Sequence, residues 1–153
     1  MGIVRETSVL IGFYGDDLDP AEITQSLGAE PTIGVRKGEA WFPQPGAAKI
    51  APTGSWRIKA ERCTPGDLDG PIHVILDRLS NDLSLWNDFA RRYDARVFCG
   101  LFLGEFNEGI ALRAETLFRL GERGLLIDFD IYAPPEEASS SPSDSAALQP
   151  PAI

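Results

Sequence analysis

Histidine is almost missing from this chain of 153 residues: there is one, His73, beside two cysteines and one methionine. That scarcity excludes most metal and nucleophile chemistry. A histidine-based zinc site needs several imidazoles or thiolates at ligand spacing, and His73 has no neighbouring cysteine and no paired carboxylate. A Ser-His-Asp or Cys-His device would have to use the same His73, and neither Cys63 nor Cys99 lies in a nucleophile motif. The cysteines form no CxxC and no dense framework, which suits a reducing cytoplasm. A P-loop and a dinucleotide fingerprint are also missing, since Gly12 to Gly15 is only GxxG. No catalytic residue, metal or cofactor is therefore expected.

Cations are the second shortage. Lys and Arg number 14 against 23 Asp and Glu, giving a net charge of −9. Binding to nucleic acid rests on neutralising phosphates with Lys and Arg, so nucleic acid is not expected as a partner. The same balance disfavours an anionic membrane surface and permits a basic protein partner or a cationic ligand. The acid excess also serves solubility alone. No stretch approaches the ~20 apolar residues of a membrane span. The N-terminus has no basic region ahead of an apolar run, unlike a secretory signal. A soluble, cytoplasmic protein with an ordinary apolar share of 43% is the expectation.

What the chain does contain divides at Tyr132. Residues 133–153, APPEEASSSPSDSAALQPPAI, hold no aromatic, no Lys and no Arg. Such a composition buries too little apolar area to offset ordering entropy, so a disordered Pro/Ser-rich acidic tail is expected there. Residues 1–132 read as one α+β domain. A strand over Val4 to Tyr14 places Val9, Ile11 and Phe13 on one face. A short helix follows: Asp19 is an N-cap, Pro20 takes the first helical position, and Glu22 completes an acidic variant of the capping box. Gly28 ends this helix.

A strand near Thr32 to Arg36 leads into a long loop, Gly38 to Thr53, which is either mobile or functional. Ser55 to Glu61 alternates, with Trp56 and Ile58 opposite Arg57 and Lys59. Helical spacing of apolar residues runs from Ile72 to Tyr93, and Ser80-Asn81-Asp82 is a weak stretch where the helix kinks or restarts. Arg96 to Leu103 is a central strand, and Arg113 to Glu122 a last helix. Leu125 to Tyr132 closes the domain as a strand with Leu125, Ile127, Phe129 and Ile131 inward and Asp128 and Asp130 outward. Laying Ala21-Glu22 over Ala114-Glu115 also aligns Leu27-Gly28 with Leu120-Gly121, a weak signal of two related halves.

The densest polar group lies between Gly12 and Lys37. Asp16, Asp17, Arg36 and Lys37, with Trp41 and Trp56 nearby in sequence, could together rim a site for a small polar or planar ligand. The competing reading uses the same residues as a salt bridge from Arg36 or Lys37 to the Asp16-Asp17 loop, with Trp56 in the core. An acidic cation site at Asp16, Asp17, Asp19 and Glu22 competes with helix capping, and the spacing does not match an EF-hand loop. Asp128 and Asp130 read as one wet face of a sheet rather than as paired catalytic acids.

The acidic stretch GDDLDPAEITQSLGAEPT, the pair Lys37-Gly38, a Trp in the following strand, and the ending Asp130-Ile131-Tyr132 resemble the bacterial family called domain of unknown function 4279. The resemblance covers roughly Val9 to Tyr132 and implies a small α+β bacterial domain. It brings no activity, cofactor or catalytic residue to carry over. The element order β-α-β-β-α-β-α-β fits a mainly antiparallel sheet with helices on one face, in the manner of a ferredoxin-like plait with an added αβ unit. For function, a non-enzymatic binding or protein-interaction module leads, with an immunity- or inhibitor-like protein as one version. A small-molecule enzyme using the acidic loop and Arg36-Lys37 is the alternative, and a structural or oligomer-forming domain, such as a homodimer, is the third.

Overall fold

Alternation on one strand sets the architecture. In the computed structural model, which describes residues 2–136, the elements in chain order are β1 (Gly2–Ile3), β2 (Glu6–Gly15), α1 (Pro20–Leu27), β3 (Ile33–Val35), β4 (Ala40–Gln44), β5 (Ala47–Ile50), β6 (Gly54–Lys59), α2 (Asp69–Asp77), α3 (Leu83–Arg92), β7 (Asp94–Phe102), β8 (Glu108–Gly109), α4 (Ala114–Glu122) and β9 (Leu126–Tyr132). Five strands form one sheet in the order β3-β6-β2-β7-β9. The pairings β3–β6, β6–β2 and β2–β7 are antiparallel, and β7–β9 is parallel. The tail expected over residues 133–153 lies, from residue 137 on, outside the described residues.

This order is the plait expected from the sequence. β2-α1-β3 and β6-α2-α3-β7 are two split βαβ units, each with a strand of the other between its own two strands. α4-β9 is the added unit, and it lays a parallel strand beside β7. The suggested repeat aligned α1 with α4, but their surroundings differ. β2 and β3 are separated by β6, whereas β7 and β9 are neighbours. Gly28 takes the left-handed conformation that ends α1, while Gly121 lies inside α4 and Gly124 takes that conformation beyond it.

One face of the sheet carries the helices and the core. Val9, Ile11 and Phe13 from β2, Trp56 and Ile58 from β6, and Val97 and Cys99 from β7 are all buried against Ile23, Leu27, Ile72, Ile75, Leu76, Trp86 and Phe89. Phe13 is central, with its ring centroid 6.0 Å from Trp56, 5.8 Å from Trp86 and 5.7 Å from Phe89. Both buried indoles find acceptors: Trp56 Nε1 donates to Thr24 Oγ1 at 3.1 Å and Trp86 Nε1 to the Ser80 carbonyl at 2.7 Å.

Several local expectations are corrected. The loop over Gly38 to Thr53 holds a hairpin, β4–β5, paired antiparallel with an irregularity between Trp41 and Gln44. Gly46 supplies the positive φ its turn requires. The helical stretch over Ile72 to Tyr93 does restart at Ser80-Asn81-Asp82, as expected, and forms two helices, α2 and α3. There the Ser80 N–H leaves helical register to donate to the Leu27 carbonyl at 2.9 Å, and Asp82 caps α3 by accepting from Ser84 N at 3.0 Å. Glu22 does not close a capping box. Its carboxylate instead makes a bidentate pair with Arg92, at 2.7 and 3.0 Å, which ties α1 to α3. On β9, Phe129 and Ile131 sit on the helix-bearing side by register, opposite Cys99 and Leu101, yet they are exposed because β9 is the outermost strand.

The ring cluster makes a direct stability prediction. Phe13→Ala removes a fully buried ring from the contact of three aromatics and should cost ~3–5 kcal/mol in denaturant unfolding. Phe42→Ala, on the exposed hairpin, should stay within ~0.5 kcal/mol.

Candidate functional site

The face of the sheet opposite the helices is open, and strand register decides what stands on it. Leu10 pairs with Lys59 on one side and Phe98 on the other; Gly12 pairs with Arg57 and Arg96; Tyr14 pairs with Ser55 and Asp94. Asp128 and Asp130 follow on β9, opposite Phe98 and Gly100. Because Gly12 lacks a side chain, the Tyr14 ring folds back over it. A Cβ at Gly12 would lie 2.7 Å from the Tyr14 hydroxyl and 2.9 Å from its ring. The phenol is thereby brought beside Arg57.

Arg57 is the centre of this face. Its guanidinium carbon lies 5.9 Å from the Tyr14 ring centroid and 5.0 Å from that of Trp41, which the β4–β5 hairpin brings over from outside the sheet. Its Nε is buried and has no hydrogen-bond acceptor among the described residues. A groove of about 440 Å³ opens here, lined by Ser8, Leu10, Tyr14, Arg57, Lys59, Arg62 and Phe98 among others. A shallower depression continues past Tyr14 to Asp94, Arg96 and Asp128. Burial holds the Tyr14 phenol above its ordinary value, with the positive charge of Arg57 pulling the other way.

Two other cations around the groove are matched, while Lys59 is exposed at its rim. Arg62 pairs with Glu6 at 2.8 Å and lies over the Phe102 ring. Arg96 pairs with Asp128 at 2.7 Å and closely with Asp94. What the arrangement offers chemically is one guanidinium short of an acceptor, flanked by flat rings, on an apolar floor.

The residues singled out from sequence are distributed differently. Lys37 Nζ bonds Asp16 Oδ2 at 3.1 Å, and Thr53 Oγ1 donates to Asp16 Oδ1 at 3.0 Å. Arg36 reaches Asp19 at 2.9 Å, while Asp19 also caps α1 by accepting from Ala21 N at 3.1 Å. Asp17 is exposed beside them. Trp56 is fully buried in the core. Trp41 stands on the open face against Arg57. The structure thus brings Asp16 and Lys37 together and Asp19 and Arg36 together, and it separates both pairs from the two tryptophans. Arg57 and Tyr14 were missed. Their signal was present in the alternation of Arg57 and Lys59 against Trp56 and Ile58, two cations on a central strand of an acid-rich chain.

His73 belongs to a clasp between α2 and α4. Arg119 donates to His73 Nδ1 at 2.6 Å, which leaves the imidazole proton on Nε2, directed at Thr116 Oγ1 at 3.0 Å. Thr116 in turn donates to Asp69 Oδ1 at 2.5 Å. Thr116 is buried, and the bonds run from Arg119 on α4 through His73 on α2 to Thr116 and back to Asp69 on α2, which ties the two helices together. Cys99 is buried too, and its thiol is pushed up to about 12 by that burial, which keeps it unreactive.

A family model described as Domain of unknown function (DUF4279) matches residues 5–134, and the chain belongs to that family. The match takes in the whole five-stranded sheet, the hairpin and all four described helices. Comparison with curated proteins and with solved structures gives no match.

The acidic loop carries a pH prediction. Hydrogen bonds from Lys37, then Thr53, hold the Asp16 carboxyl below its ordinary value of 3.8. A depressed carboxylate stabilises the fold above its unfolded value and loses that contribution as pH falls through its folded one. Side-chain NMR should therefore find Asp16 titrating below 3.8, and Lys37→Ala should return it toward that value.

Proposed function

We propose that this member of the DUF4279 family is a non-enzymatic binding module whose ligand site is the groove on the open face of the sheet. The observation that carries the reading is Arg57: a partly covered guanidinium with a buried donor lacking an acceptor, in a chain whose acids outnumber its cations. Leaving such a donor unsatisfied costs the free protein stability, and an incoming acceptor recovers that cost as binding energy. A groove of this size, with an apolar lining and a few convergent polar groups, suits a small ligand. The acidic loop supports the alternative of a small-molecule enzyme less well, because Arg36 and Lys37 are already engaged by Asp19 and Asp16.

A third reading, self-association, draws on a different observation. The outer edge of β9 is unpaired among the described residues and exposes Phe129, Ile131 and Tyr132. Light scattering tests it: a monomer at every concentration removes this reading, and a dimer dispersed by Ile131→Asp sustains it.

The binding reading is tested by NMR on the isotope-labelled full chain against a small-molecule library of mixed charge. Hits should move the amide signals of Leu10, Tyr14, Arg57, Lys59 and Phe98, and the compounds should be recovered unchanged. Shifts confined to Asp16 through Lys37, or conversion of a hit into product, would overturn it.

A further inference from the structure

We infer that the ligand of the open-face groove is a small organic monocarboxylate with a flat apolar body, its carboxylate held by the Arg57 guanidinium. This rests on the binding reading above and names the ligand class.

Three features select that class. The first is the shape of the vacancy in hydrogen bonding. Arg57 Nε has no acceptor among the described residues, and the rings of Tyr14 and Trp41 flank the guanidinium with centroids 5.9 and 5.0 Å from its carbon. What remains for a ligand is the edge of the planar fork, which matches a carboxylate in a bidentate pair. Nε is covered in the free protein, so a ligand reaches it only with a local rearrangement of the side chains around Arg57. Lys59, exposed and on the same strand two residues on, supplies a second cation at the rim.

The second feature is the charge around the groove. Glu6 stands at one end, paired with Arg62, and past Tyr14 and Phe98 the carboxylates of Asp94 and Asp128 share the single Arg96 with Asp130 beyond them, which leaves that side net negative. A single negative charge fits between these acids. A polyphosphate or a nucleic-acid strand tracking along the sheet would run its charges into them and release few counterions. The third feature is the lining. Leu10 and Phe98 form an apolar floor and Tyr14 adds a flat wall, which favour a ring or a planar chain over a compact hydrated anion.

The test is isothermal titration of the full chain with 2-naphthoate, with its neutral isostere 2-naphthamide, and with inorganic phosphate. One 2-naphthoate should bind per chain, and the amide and phosphate should each bind at least about tenfold more weakly, as expected when a charged hydrogen bond is lost. Arg57→Gln should weaken 2-naphthoate by a similar factor, Arg57→Lys by less, and the indole N–H signal of Trp41 should shift on binding. Trp41→Ala lies on the hairpin outside the core, so it tests the same site if Arg57→Gln fails to fold, and it too should weaken 2-naphthoate. Equal binding of acid and amide at the groove overturns the carboxylate class and leaves the groove reading standing. The class also fails if Arg57→Gln folds and binds 2-naphthoate as wild type does. If 2-naphthoate and the whole library leave the groove signals unmoved, both readings fail together.

Discussion

The ten residues of β2 hold both halves of the molecule, because side chains on a strand alternate between its faces. Val9, Ile11 and Phe13 go to the helices and nucleate the aromatic cluster with Trp56, Trp86 and Phe89. Leu10, Gly12 and Tyr14 go to the other face and form the middle of the groove. A one-residue slip in register would expose the core and bury the groove at once. Pairing on both sides of β2, with β6 and β7, locks that register over most of its length. The position of Arg57 beside Tyr14 follows from the same lock, since Arg57 stands opposite Gly12.

Net charge and local charge diverge in this protein. The chain as a whole is acidic, and on its surface cations are mostly spent on acids: Lys37 on Asp16, Arg36 on Asp19, Arg92 on Glu22 and Asp88, Arg119 on Asp77. Exposed pairs of this kind contribute little to stability, roughly 0–1 kcal/mol each. Arg57 departs from that pattern. It sits where aromatic rings limit its access to water, a setting in which a guanidinium interacts more strongly with whatever anion reaches it. An overall acidic composition therefore does not dictate a basic partner, because recognition depends on the few groups that remain unmatched.

Much of the fold was legible in the sequence for identifiable reasons. Alternation at Val9, Ile11 and Phe13 and at Trp56 and Ile58 marked central strands, and Asp19-Pro20 with Gly28 bounded α1 as capping chemistry requires. The element order then left few topologies, and the plait with an added αβ unit was among them. The hairpin was not legible, because Pro43, Gly46 and a run of small residues hide a two-stranded pairing that buries almost nothing. The exposure of Phe129 and Ile131 was not legible either. Periodicity assigns a residue to a face, but only the tertiary arrangement decides whether helices extend far enough to cover it. For the site, sequence proximity misled. Trp56 stands near Trp41 in the chain yet points to the opposite face of the sheet, and Tyr14 reaches Arg57 only through strand pairing and a neighbouring glycine.

A crystal structure of the full chain grown with 2-naphthoate tests the account most directly. It predicts the carboxylate within hydrogen-bonding distance of the Arg57 guanidinium and the naphthyl ring against Phe98. A groove left empty while Arg57 is paired to a carboxylate of the chain itself would contradict it, since the guanidinium would then be a satisfied structural group and the open face would have lost its recognition element.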